Sequence, residues 1–429
     1  MSEYRGYTGM SLVFLKESKV KVGDSVKITE DLTYSGIIMP RYEQKDDKHI
    51  VIKLKNGYNI GIEINKIKKI ELLPQEKIEP KNSPQIKIDS SLPKVLLLST
   101  GGTIASKIDY RTGAVTPALS AAELNSSVPE LAEMAQIHAE VLFSEYSENL
   151  EPKHWNIIAE KLDSYAKSDY KGIVIAHGTD TMQYTAAFLS FALAGYPIPI
   201  VLVGSQRSSD RPSSDAALNL ISAVRFVIES NTRGIFVVMH HNESDDLVSV
   251  HLGTRVRKNH TSKRSAFQTI GDNPAFLILD NKIEKNLEKE FFKQKEYVPN
   301  LNVDSNVALV KYYPGYNPKI INFLIESGYK AIIFEGTGLG HVGKTMYEGI
   351  KKANESGLFM GMTSQCIDGR VGMNVYESGR DLLELGIIPL SDMISETALV
   401  KAMWALGNSK NITEMKELML KNIASEFSD

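Results

Sequence analysis

Two short stretches of the chain place a threonine where an apolar run stops at glycine. The first, LLLSTGGTIAS at residues 96–106, carries Thr103, and the second, IAHGTDTMQYTA at residues 175–186, carries Thr179. Asp180 directly follows the second threonine. A hydroxyl at such a position acts as a nucleophile in acyl transfer when a neighbouring group activates it. The two threonines, with a carboxylate beside the second, therefore indicate amide hydrolysis rather than nucleotide binding.

Both stretches also have a structural interpretation. A glycine turn that opens a helix binds phosphate through its backbone amides, and TGGTIAS has that form. It lacks the G-x-G-x-x-G spacing, and no acidic residue ends the next strand where a ribose would be bound. Thr179 or Asp180 would equally cap the helix that begins at TMQYTA. That capping role is compatible with catalysis, because helix N–H groups also stabilise a developing oxyanion.

A threonine hydroxyl is a weak nucleophile unless a base or a cation activates it. The basic stretch GTRVRKNHTSKRSAF at residues 253–267 supplies two candidates, Lys258 and Lys263. A lysine held out of water beside Asp180 would take a proton from Thr179 and complete a relay. Spacing alone does not choose between the two lysines. A solvated basic loop is the alternative interpretation, because the same stretch also contains Arg255, Arg257 and Arg264.

His177 is a further candidate, as a general base. The ordinary pKa of histidine lies close to neutral pH, which suits proton transfer. However, His177 stands at the end of an apolar run and is followed by glycine. We therefore favour the interpretation in which its side chain packs behind the site.

The second half of the chain contains a motif that argues for a different chemistry. Residues 338–345 read GLGHVGKT, which matches the phosphate-binding pattern G-x-x-x-x-G-K-[ST] after AIIFE and before TMYEGIKKANE. Such a loop would make the chain a nucleotide-dependent enzyme or switch. The motif does not follow the first strand of its lobe, and Asp368, the nearby candidate metal ligand, follows only a short TSQC turn. Nucleotide binding stays an alternative that we do not favour.

Composition narrows the class of protein. The chain has 429 residues, enough for two or three domains, and its 42% hydrophobic and 24% charged residues are ordinary for globular proteins. A net charge of -3 gives no overall reason to expect a polyanion partner. The single Cys366 forms no disulfide within the chain, which favours a reducing compartment. With no apolar run near the length of a membrane helix, we expect a cytoplasmic protein.

The hydrophobic pattern divides the chain into a small β domain and a larger α/β unit. Residues 1–75 contain short β-branched runs separated by turn signals, and they predict a small SH3-like barrel of five strands. Residues 76–93 are proline-rich and polar and are expected to form a linker. After them, near-continuous apolar runs alternate with helical stretches, so we expect a doubly wound α/β fold in two lobes, 94–285 and 305–429, joined by a charged linker at 286–304.

The predicted strands of the first lobe bring the two threonine stretches together. KVLLLST and KGIVIAH are apolar runs of the kind that form buried parallel strands. In an open α/β sheet, ligands bind outside the carboxyl ends of the strands. Thr103 follows the first run by two glycines, and Thr179 and Asp180 follow the second run in a similar way. Both motifs are therefore expected to face one pocket.

In this order, TGGTIAS and HGTDTMQYTA resemble the two signatures of the bacterial-type L-asparaginases, a family of amidohydrolases with paired threonine sites. The resemblance covers the chain from residue 94 onwards and implies a two-lobed α/β fold. It also implies particular roles: the nucleophile at Thr103, an activating lid tyrosine at Tyr110, the second-motif pair Thr179 and Asp180, the family lysine at Lys258, nine residues before Phe267, and a serine for the substrate's α-carboxylate at Ser147. The backbone around Gly102 and Gly178 would complete the substrate site, with no metal ion.

The small β domain ahead of the lobes refines this resemblance. A plain L-asparaginase begins almost directly at the TGGTIA strand, whereas residues 1–93 precede it here. This arrangement, together with GSQRSSDRPSSDAA and TSQCIDGRVGMNVYESGR, is similar to the D subunit of the archaeal glutamyl-tRNA(Gln) amidotransferases. The resemblance implies a glutaminase subunit that supplies ammonia for converting Glu-tRNA(Gln) to Gln-tRNA(Gln). A stand-alone cytosolic L-asparaginase is the alternative.

The same resemblance implies partners and cofactors. A separate E subunit would bind the tRNA, use ATP and Mg²⁺ and receive the ammonia, so this chain would need no cofactor of its own. We further expect a homodimer of this chain within a heterotetramer, and no membrane attachment. The β domain is slightly basic but lacks an aromatic-rich face, so we expect it to dock a protein partner rather than RNA.

Overall fold

The computed structural model describes most of the chain. For residues 106–109 and 114–117 it describes the backbone alone. Thr103 and Tyr110 lie outside the described residues. The described ranges are 3–4, 6–41, 46–54, 59–74, 90–102, 106–109, 114–117, 128–207, 213–287 and 296–428.

The N-terminal part of the chain contains five antiparallel strands, as predicted from its β-branched runs. They form one sheet. The second strand lies between the first and the third, and the fifth strand pairs with the free side of the first. The elements are α1 (Gly9–Glu17), β1 (Ser25–Thr29), β2 (Thr33–Ile38), β3 (His49–Leu54), β4 (Asn59–Glu63) and β5 (Lys69–Leu72). The order across the sheet is therefore β4-β3-β2-β1-β5.

Helix α1 is the element of this domain that the sequence pattern does not predict. Leu15 is fully buried and packs in the core of the domain with Tyr7 and the inward-facing strand residues. Met10 and Val13 of the same helix are exposed. Apolar residues thus lie on several faces of α1, and the periodicity that marks an amphipathic helix is absent.

A large mixed sheet forms the centre of the first lobe. From residue 94 the strands are β6 (Lys94–Ser99), β7 (Ser106–Asp109), β8 (Ala114–Pro117), β9 (Gln136–Val141), β10 (Gly172–Ala176), β11 (Pro199–Val203), β12 (Gly234–His240), β13 (Leu247–Leu252), β14 (Val256–Lys258), β15 (Phe267–Thr269), β16 (Phe276–Leu279) and β17 (Lys282–Lys285). Eight of them pair in the order β17-β16-β13-β12-β11-β10-β6-β9, while β7 pairs with β8 and β14 with β15. Strands β9, β6, β10, β11 and β12 are parallel, which confirms the predicted parallel strands.

Helices cover both faces of this sheet, as the predicted doubly wound fold requires. They are α2 (Glu130–Met134), α3 (Pro152–Ser164), α4 (Met182–Ala192) and α5 (Ala216–Glu229). Alternate residues of each parallel strand point to opposite sides: Leu96 of β6 packs with α3 and α4, and Val95 packs with α2 and α5. Strands buried on both faces need continuous apolar sequence, which explains runs such as KVLLLS and GIVIA.

The second lobe repeats the α/β principle on a smaller scale. Its elements are β18 (Val307–Lys311), α6 (Lys319–Glu326), β19 (Ala331–Gly336), α7 (Tyr347–Glu355), β20 (Phe359–Ser364), α8 (Glu377–Glu384), β21 (Ile388–Pro389), α9 (Ser395–Gly407) and α10 (Ile412–Leu420). The four strands are parallel in chain order. Helix α9 packs against α4 of the first lobe, and the ring centroids of Phe191 and Trp404 are 5.7 Å apart. The two lobes therefore share one hydrophobic core.

A buried ion pair fixes the segment that follows α10. Lys401 of α9 and Glu426 are both fully buried. Lys401 Nζ donates to a Glu426 carboxylate oxygen and to the backbone carbonyls of Met419 and Lys421. Burial lowers the pKa of Lys401, and the charge of Glu426 opposes that shift. Because the ammonium group and the carboxylate both have partners, the pair holds this segment against the second lobe.

Breaking this pair on one side is expected to destabilise the protein. Lys401→Met should lower the free energy of unfolding by about 3–5 kcal/mol, because Glu426 would stay buried without its counter-charge. Denaturant titration followed by circular dichroism measures the change. Lys416→Met, on the exposed face of α10, is the matched control and should be nearly neutral. A Lys401→Met variant as stable as the control would contradict this account.

In the part of the chain that the structure describes, no helix combines the length and apolar content needed to cross a membrane.

Candidate active site

The two threonine stretches follow neighbouring strands of the eight-stranded sheet. Strands β6 and β10 are parallel, and Ser99 lies opposite Ala176 at their carboxyl ends. From β6 the chain crosses to β9 on one side, and then to β10 on the other side. Such a change of direction leaves a crevice at the carboxyl ends, where open α/β sheets bind their ligands. The fold thus directs the first stretch, as far as Gly102, and the second stretch to one edge of the sheet.

Glycines allow the segments at this edge to approach each other closely. Gly102 has a φ of +84°, and a Cβ atom added there would lie 2.7 Å from the amide nitrogen of Gly178. A Cβ atom on Gly178 would in turn lie 2.7 Å from the Cβ of Ser147. A side chain at either position would push these segments apart, and the left-handed conformation of Gly102 also disfavours other residues. The sequence-predicted residues Gly102, Gly178 and Ser147 therefore meet at one place.

Lys258 reaches this edge from a separate hairpin. It ends β14, which pairs with β15 so that Lys258 lies opposite Phe267. Its Nζ donates hydrogen bonds to Oγ1 of Thr179 at 2.8 Å and to Oδ1 of Asp180 at 2.6 Å. The Lys258 side chain is only 9% exposed, whereas Lys263 lies exposed in the hairpin loop. Of the two candidate lysines, the structure brings Lys258 to the threonine and aspartate.

This arrangement is suited to proton transfer at the Thr179 hydroxyl. An ammonium group that donates to a hydroxyl oxygen stabilises negative charge on it, and a neutral amine in the same place accepts its proton. The Asp180 carboxylate holds the Lys258 side chain in that position. The Asp180 side chain is itself 64% exposed, so water screens the ion pair, and its outer part is open to a second cation such as an amino group.

Ser147 is tied to the same group of residues. It begins a short 3-10 turn, Ser147–Asn149, and its side chain is buried. The amide nitrogen of Asp180 donates to Ser147 Oγ at 3.3 Å, and Thr181 Oγ1 donates to the Ser147 carbonyl at 2.6 Å. Thr181, which no sequence motif singles out, thus joins the turn to the start of α4. Two hydrogen bonds hold Ser147, the residue predicted to bind the α-carboxylate, beside Asp180 and Thr181.

His177 packs behind the site rather than in it. The side chain is fully buried; Nδ1 lies 2.6 Å from the Gly178 carbonyl and Nε2 lies 2.9 Å from Oγ1 of Thr185. Burial lowers the pKa of His177 to about 4, so the imidazole is neutral at neutral pH. Both ring nitrogens are occupied by protein partners, as the favoured interpretation of the sequence expects.

Gly204 also shapes this edge, although it is not among the residues predicted from the sequence. It follows β11, and a Cβ atom there would lie 2.8 Å from Cγ2 of Thr179 and 2.7 Å from Cε of Met182. Glycine therefore leaves the space that the Thr179 side chain occupies. The sequence did contain a signal for Gly204. The apolar runs of three neighbouring strands each end at glycine, in LLLSTGG, IVIAHG and IVLVG.

Two residues assigned from the resemblance are not placed by the structure. Thr103 and Tyr110 lie outside the described residues. The segment Ser106–Asp109 before Tyr110 and the segment Ala114–Pro117 after it pair as the antiparallel strands β7 and β8. Among the described residues, no group of His, Cys, Asp and Glu side chains is arranged to hold a metal ion.

The GLGHVGKT motif forms a tight turn after β19. The amide nitrogens of Gly340 and His341 both donate to the carbonyl of Thr337 at 3.0 Å. The amide nitrogen of Thr337 donates back to the carbonyl of His341 at 2.9 Å. A phosphate-binding loop presents several free amides that converge on the anion, but two amides of this loop are already used within the turn. This geometry does not favour nucleotide binding.

Known protein families match all three folded parts of the chain. The family described as Asparaginase, N-terminal, matches residues 94–291, the Glutaminase/Asparaginase C-terminal domain matches 306–419, and the GatD N-terminal domain matches 20–73. The thermostable L-asparaginase from Thermococcus kodakarensis is 32% identical with a TM-score of 0.72, over 78% of this chain and 99% of that chain. A probable cytoplasmic L-asparaginase from Campylobacter jejuni is 28% identical with a TM-score of 0.64, over 77% and 100%. The fold and the site define an enzyme of the asparaginase-type amidohydrolase class.

Curated relatives extend over nearly the whole chain, including the β domain. The D subunit of glutamyl-tRNA(Gln) amidotransferase from Pyrococcus abyssi is 48% identical over 97% of both chains. The proteins of the same name from Metallosphaera sedula and Methanopyrus kandleri are each 46% identical, over 99% and 100% of this chain and 96% and 95% of their own. The chain belongs to the family of glutamyl-tRNA(Gln) amidotransferase D subunits. The resemblance and the α/β fold class inferred from the sequence are both confirmed.

Proposed function

We propose that this chain hydrolyses glutamine and delivers the ammonia to a partner subunit that converts Glu-tRNA(Gln) to Gln-tRNA(Gln). The observation that carries this proposal is the contact of Lys258 with Thr179 and Asp180 at the carboxyl edge of the sheet, in a chain of this family. A hydroxyl, an amine and a carboxylate in contact form the kind of relay that acyl transfer from an amide requires.

The proposed reaction begins with glutamine bound by both ends of its amino acid group. Its α-carboxylate is held by Ser147 and backbone donors near Gly102 and Gly178, and its α-amino group by the exposed side of Asp180. The α-amino group is then a second cation beside the Asp180 carboxylate, after Lys258. The side-chain amide is thereby placed beside the threonine hydroxyls, where orientation itself contributes to the rate.

Hydrolysis then proceeds in two acyl-transfer steps. The oxygen of Thr103, assisted by Tyr110, forms a bond to the amide carbon, and the nitrogen leaves as ammonia after it gains a proton. Water attacks the resulting γ-glutamyl ester, releases glutamate and returns the proton to the threonine oxygen. The relay of Thr179, Asp180 and Lys258 moves these protons. Direct attack by a water activated by Thr179 and Lys258 is the alternative route.

Membership of the D-subunit family supports the use of the ammonia by a partner subunit. The E subunit of the amidotransferase is proposed to bind Glu-tRNA(Gln), to activate the glutamyl ester with ATP and Mg²⁺, and to accept the ammonia. This chain needs no cofactor for the hydrolysis. We propose a homodimer of this chain within a heterotetramer, working in the cytoplasm with the other enzymes of translation.

A second candidate function is that of a stand-alone L-asparaginase. The specific observation in its favour is the 32% identity to an L-asparaginase over both lobes. This candidate gives no role to the β domain at residues 20–73, which matches the GatD N-terminal domain. The amidotransferase function accounts for that domain as well as for the lobes.

One assay separates the two functions. Ammonia release from glutamine is expected to rise at least about ten-fold when the E subunit and Glu-tRNA(Gln) are both added. A partner that completes or orders the active site raises the fraction of enzyme molecules that are able to react. Asparagine without a partner should be a poor substrate. ATP is left out so that the partner does not consume the ammonia, and ammonia release is measured by a coupled glutamate dehydrogenase assay, with uncharged tRNA as the control. Fast asparagine hydrolysis by the chain alone, unaffected by the partner, would favour the L-asparaginase function instead.

A further inference from the structure

Strand β14 presents Lys258 but belongs to neither main sheet. It spans three residues and pairs only with β15 in a two-stranded hairpin, within the described part of the chain. Val256, at its start, is buried in the core that the two lobes share. A two-stranded ribbon is marginally stable by itself. Contacts made by neighbouring residues must therefore contribute to the position of the Lys258 side chain.

These contacts come from the second lobe and from the segment after α10. We call residues 423–428 the tail segment. Oγ1 of Thr254 donates to the carbonyl of Ala424 at 2.8 Å, and the Thr254 carbonyl accepts from Oγ1 of Thr397 at 2.8 Å. The residues just before β14 are thus bonded to the tail segment on one side and to α9 on the other.

Arg255, the residue directly before β14, makes the largest set of these contacts. The side chain is buried, with 3% of the residue exposed. Its Nε donates to the carbonyl of Ser425 at 2.9 Å, its Nη1 to Oδ2 of Asp392 at 3.0 Å, and its Nη2 to Oγ of Ser428 at 3.2 Å. The planar guanidinium group presents donors in fixed directions, so three partners determine its orientation.

Asp392 and the tail segment are themselves held in place. The amide nitrogen and the hydroxyl of Ser428 donate to Asp392 at 2.8 and 2.7 Å. Burial raises the pKa of the Asp392 carboxyl, but the Ser428 donors and the charge of Arg255 outweigh burial and lower it to about 2. The buried pair of Lys401 and Glu426 fixes the middle of the tail segment. The acceptors of Arg255 are therefore themselves held by other hydrogen bonds and by a buried ion pair.

We propose that Arg255 is a positioning residue for glutamine hydrolysis. The hydrogen bonds of Arg255 to Asp392 and the tail segment hold β14 in position. In that position Lys258 contacts Thr179 and Asp180. Lys258 lies three residue steps after Arg255, about 10 Å along an extended chain, so the effect is transmitted through the backbone of the strand. This inference rests on the proposed function, because it requires Lys258 to serve the reaction.

A double-mutant cycle in the full-length chain tests the proposal. Arg255→Lys keeps the positive charge but loses the planar guanidinium group that donates to three partners. Asp392→Asn keeps the shape of the side chain but loses its negative charge. Each is expected to lower kcat for glutamine about ten-fold, the scale of effect that a displaced catalytic group produces, with KM changed less than about two-fold. Both are then combined with Lys258→Met, whose residual rate is measured at high enzyme concentration. In that background neither variant should lower kcat further, because the group they position is gone.

The control is Arg380→Lys, on the exposed face of α8, which should leave kcat and KM unchanged. Rates are measured well below the thermal midpoint of each variant, and circular dichroism confirms that each variant is folded. If Arg255→Lys unfolds, Asp392→Asn alone tests the positioning role. An equal fall of kcat in both backgrounds, or no fall in folded variants, overturns the positioning role. If Lys258→Met itself hydrolyses glutamine normally, the proposed relay fails instead, so the two failures are distinguishable.

Discussion

Replacement of Lys258 by methionine is expected to lower kcat/KM for glutamine by about a thousand-fold, within the range that a positioned proton-transfer group contributes. Methionine keeps most of the length of the side chain, being one atom shorter, and removes its charge, both of its hydrogen bonds and its basicity. Thr179 would lose the donor at 2.8 Å that stabilises its oxygen, and Asp180 would lose its partner at 2.6 Å. Steady-state ammonia release at saturating and limiting glutamine measures the change.

The matched control is Lys263→Met, in the loop of the same hairpin. The sequence stretch contains both lysines, but Lys263 is exposed, and removal of its charge should leave the rate within about two-fold of the wild type. The unfolding midpoint of Lys258→Met should stay close to that of the control, because the Asp180 carboxylate left behind is 64% exposed and hydrated. Near-normal ammonia release from folded Lys258→Met would remove Lys258 from the reaction.

The parallel strands of the first lobe could be predicted because their hydrophobic pattern is local in the sequence. Runs such as KVLLLS and GIVIA are apolar at nearly every position, and only strands buried on both faces tolerate that pattern. The rule that ligands bind at the carboxyl ends of such strands then placed the two threonine motifs at one edge. Helix α1 was not predicted for the opposite reason. Its apolar residues Met10 and Val13 are exposed, so the sequence shows no apolar stripe that marks the buried face.

The choice of lysine required information that the stretch itself does not contain. Lys258 lies opposite Phe267 in the pairing of β14 with β15. The nine-residue separation between them is therefore the register of a hairpin, which fixes the side of the strand on which Lys258 lies. Without knowledge of that pairing, Lys258 and Lys263 look alike in a basic stretch.

The contacts around Arg255 illustrate what a sequence pattern does not reveal. Arg255 binds Asp392 and the tail segment, which lie more than a hundred residues away along the chain. In the sequence, Arg255 is one of several basic residues of a loop, and a solvated position is the ordinary expectation for arginine. Only the fold shows that it is buried and that its partners belong to the second lobe.

Replacement of Thr179 by valine is expected to lower kcat for glutamine by about a hundred-fold or more, because valine has the same shape but no hydroxyl to pass protons. Thr179→Ser is the matched control: it keeps the hydroxyl within reach of Lys258 and should retain most of the activity. The methyl group that serine lacks faces Gly204, where no side chain competes for the space. Equal activity of the valine and serine variants would exclude the Thr179 hydroxyl from the reaction.

The valine variant, compared with the wild type, also distinguishes hydrolysis through an acylated Thr103, through an acylated Thr179, and by direct attack of water. If Thr103 is acylated and the relay serves mainly the attack of water, Thr179→Val should accumulate a γ-glutamyl ester on Thr103 after rapid mixing with glutamine and acid quenching. Peptide mass spectrometry locates such an ester. If Thr179 is the acylated residue, the ester forms on it in the wild type and disappears in the valine variant. Direct attack by an activated water gives no ester on either threonine, and the loss of rate in Thr179→Val then reports the loss of the group that activates water.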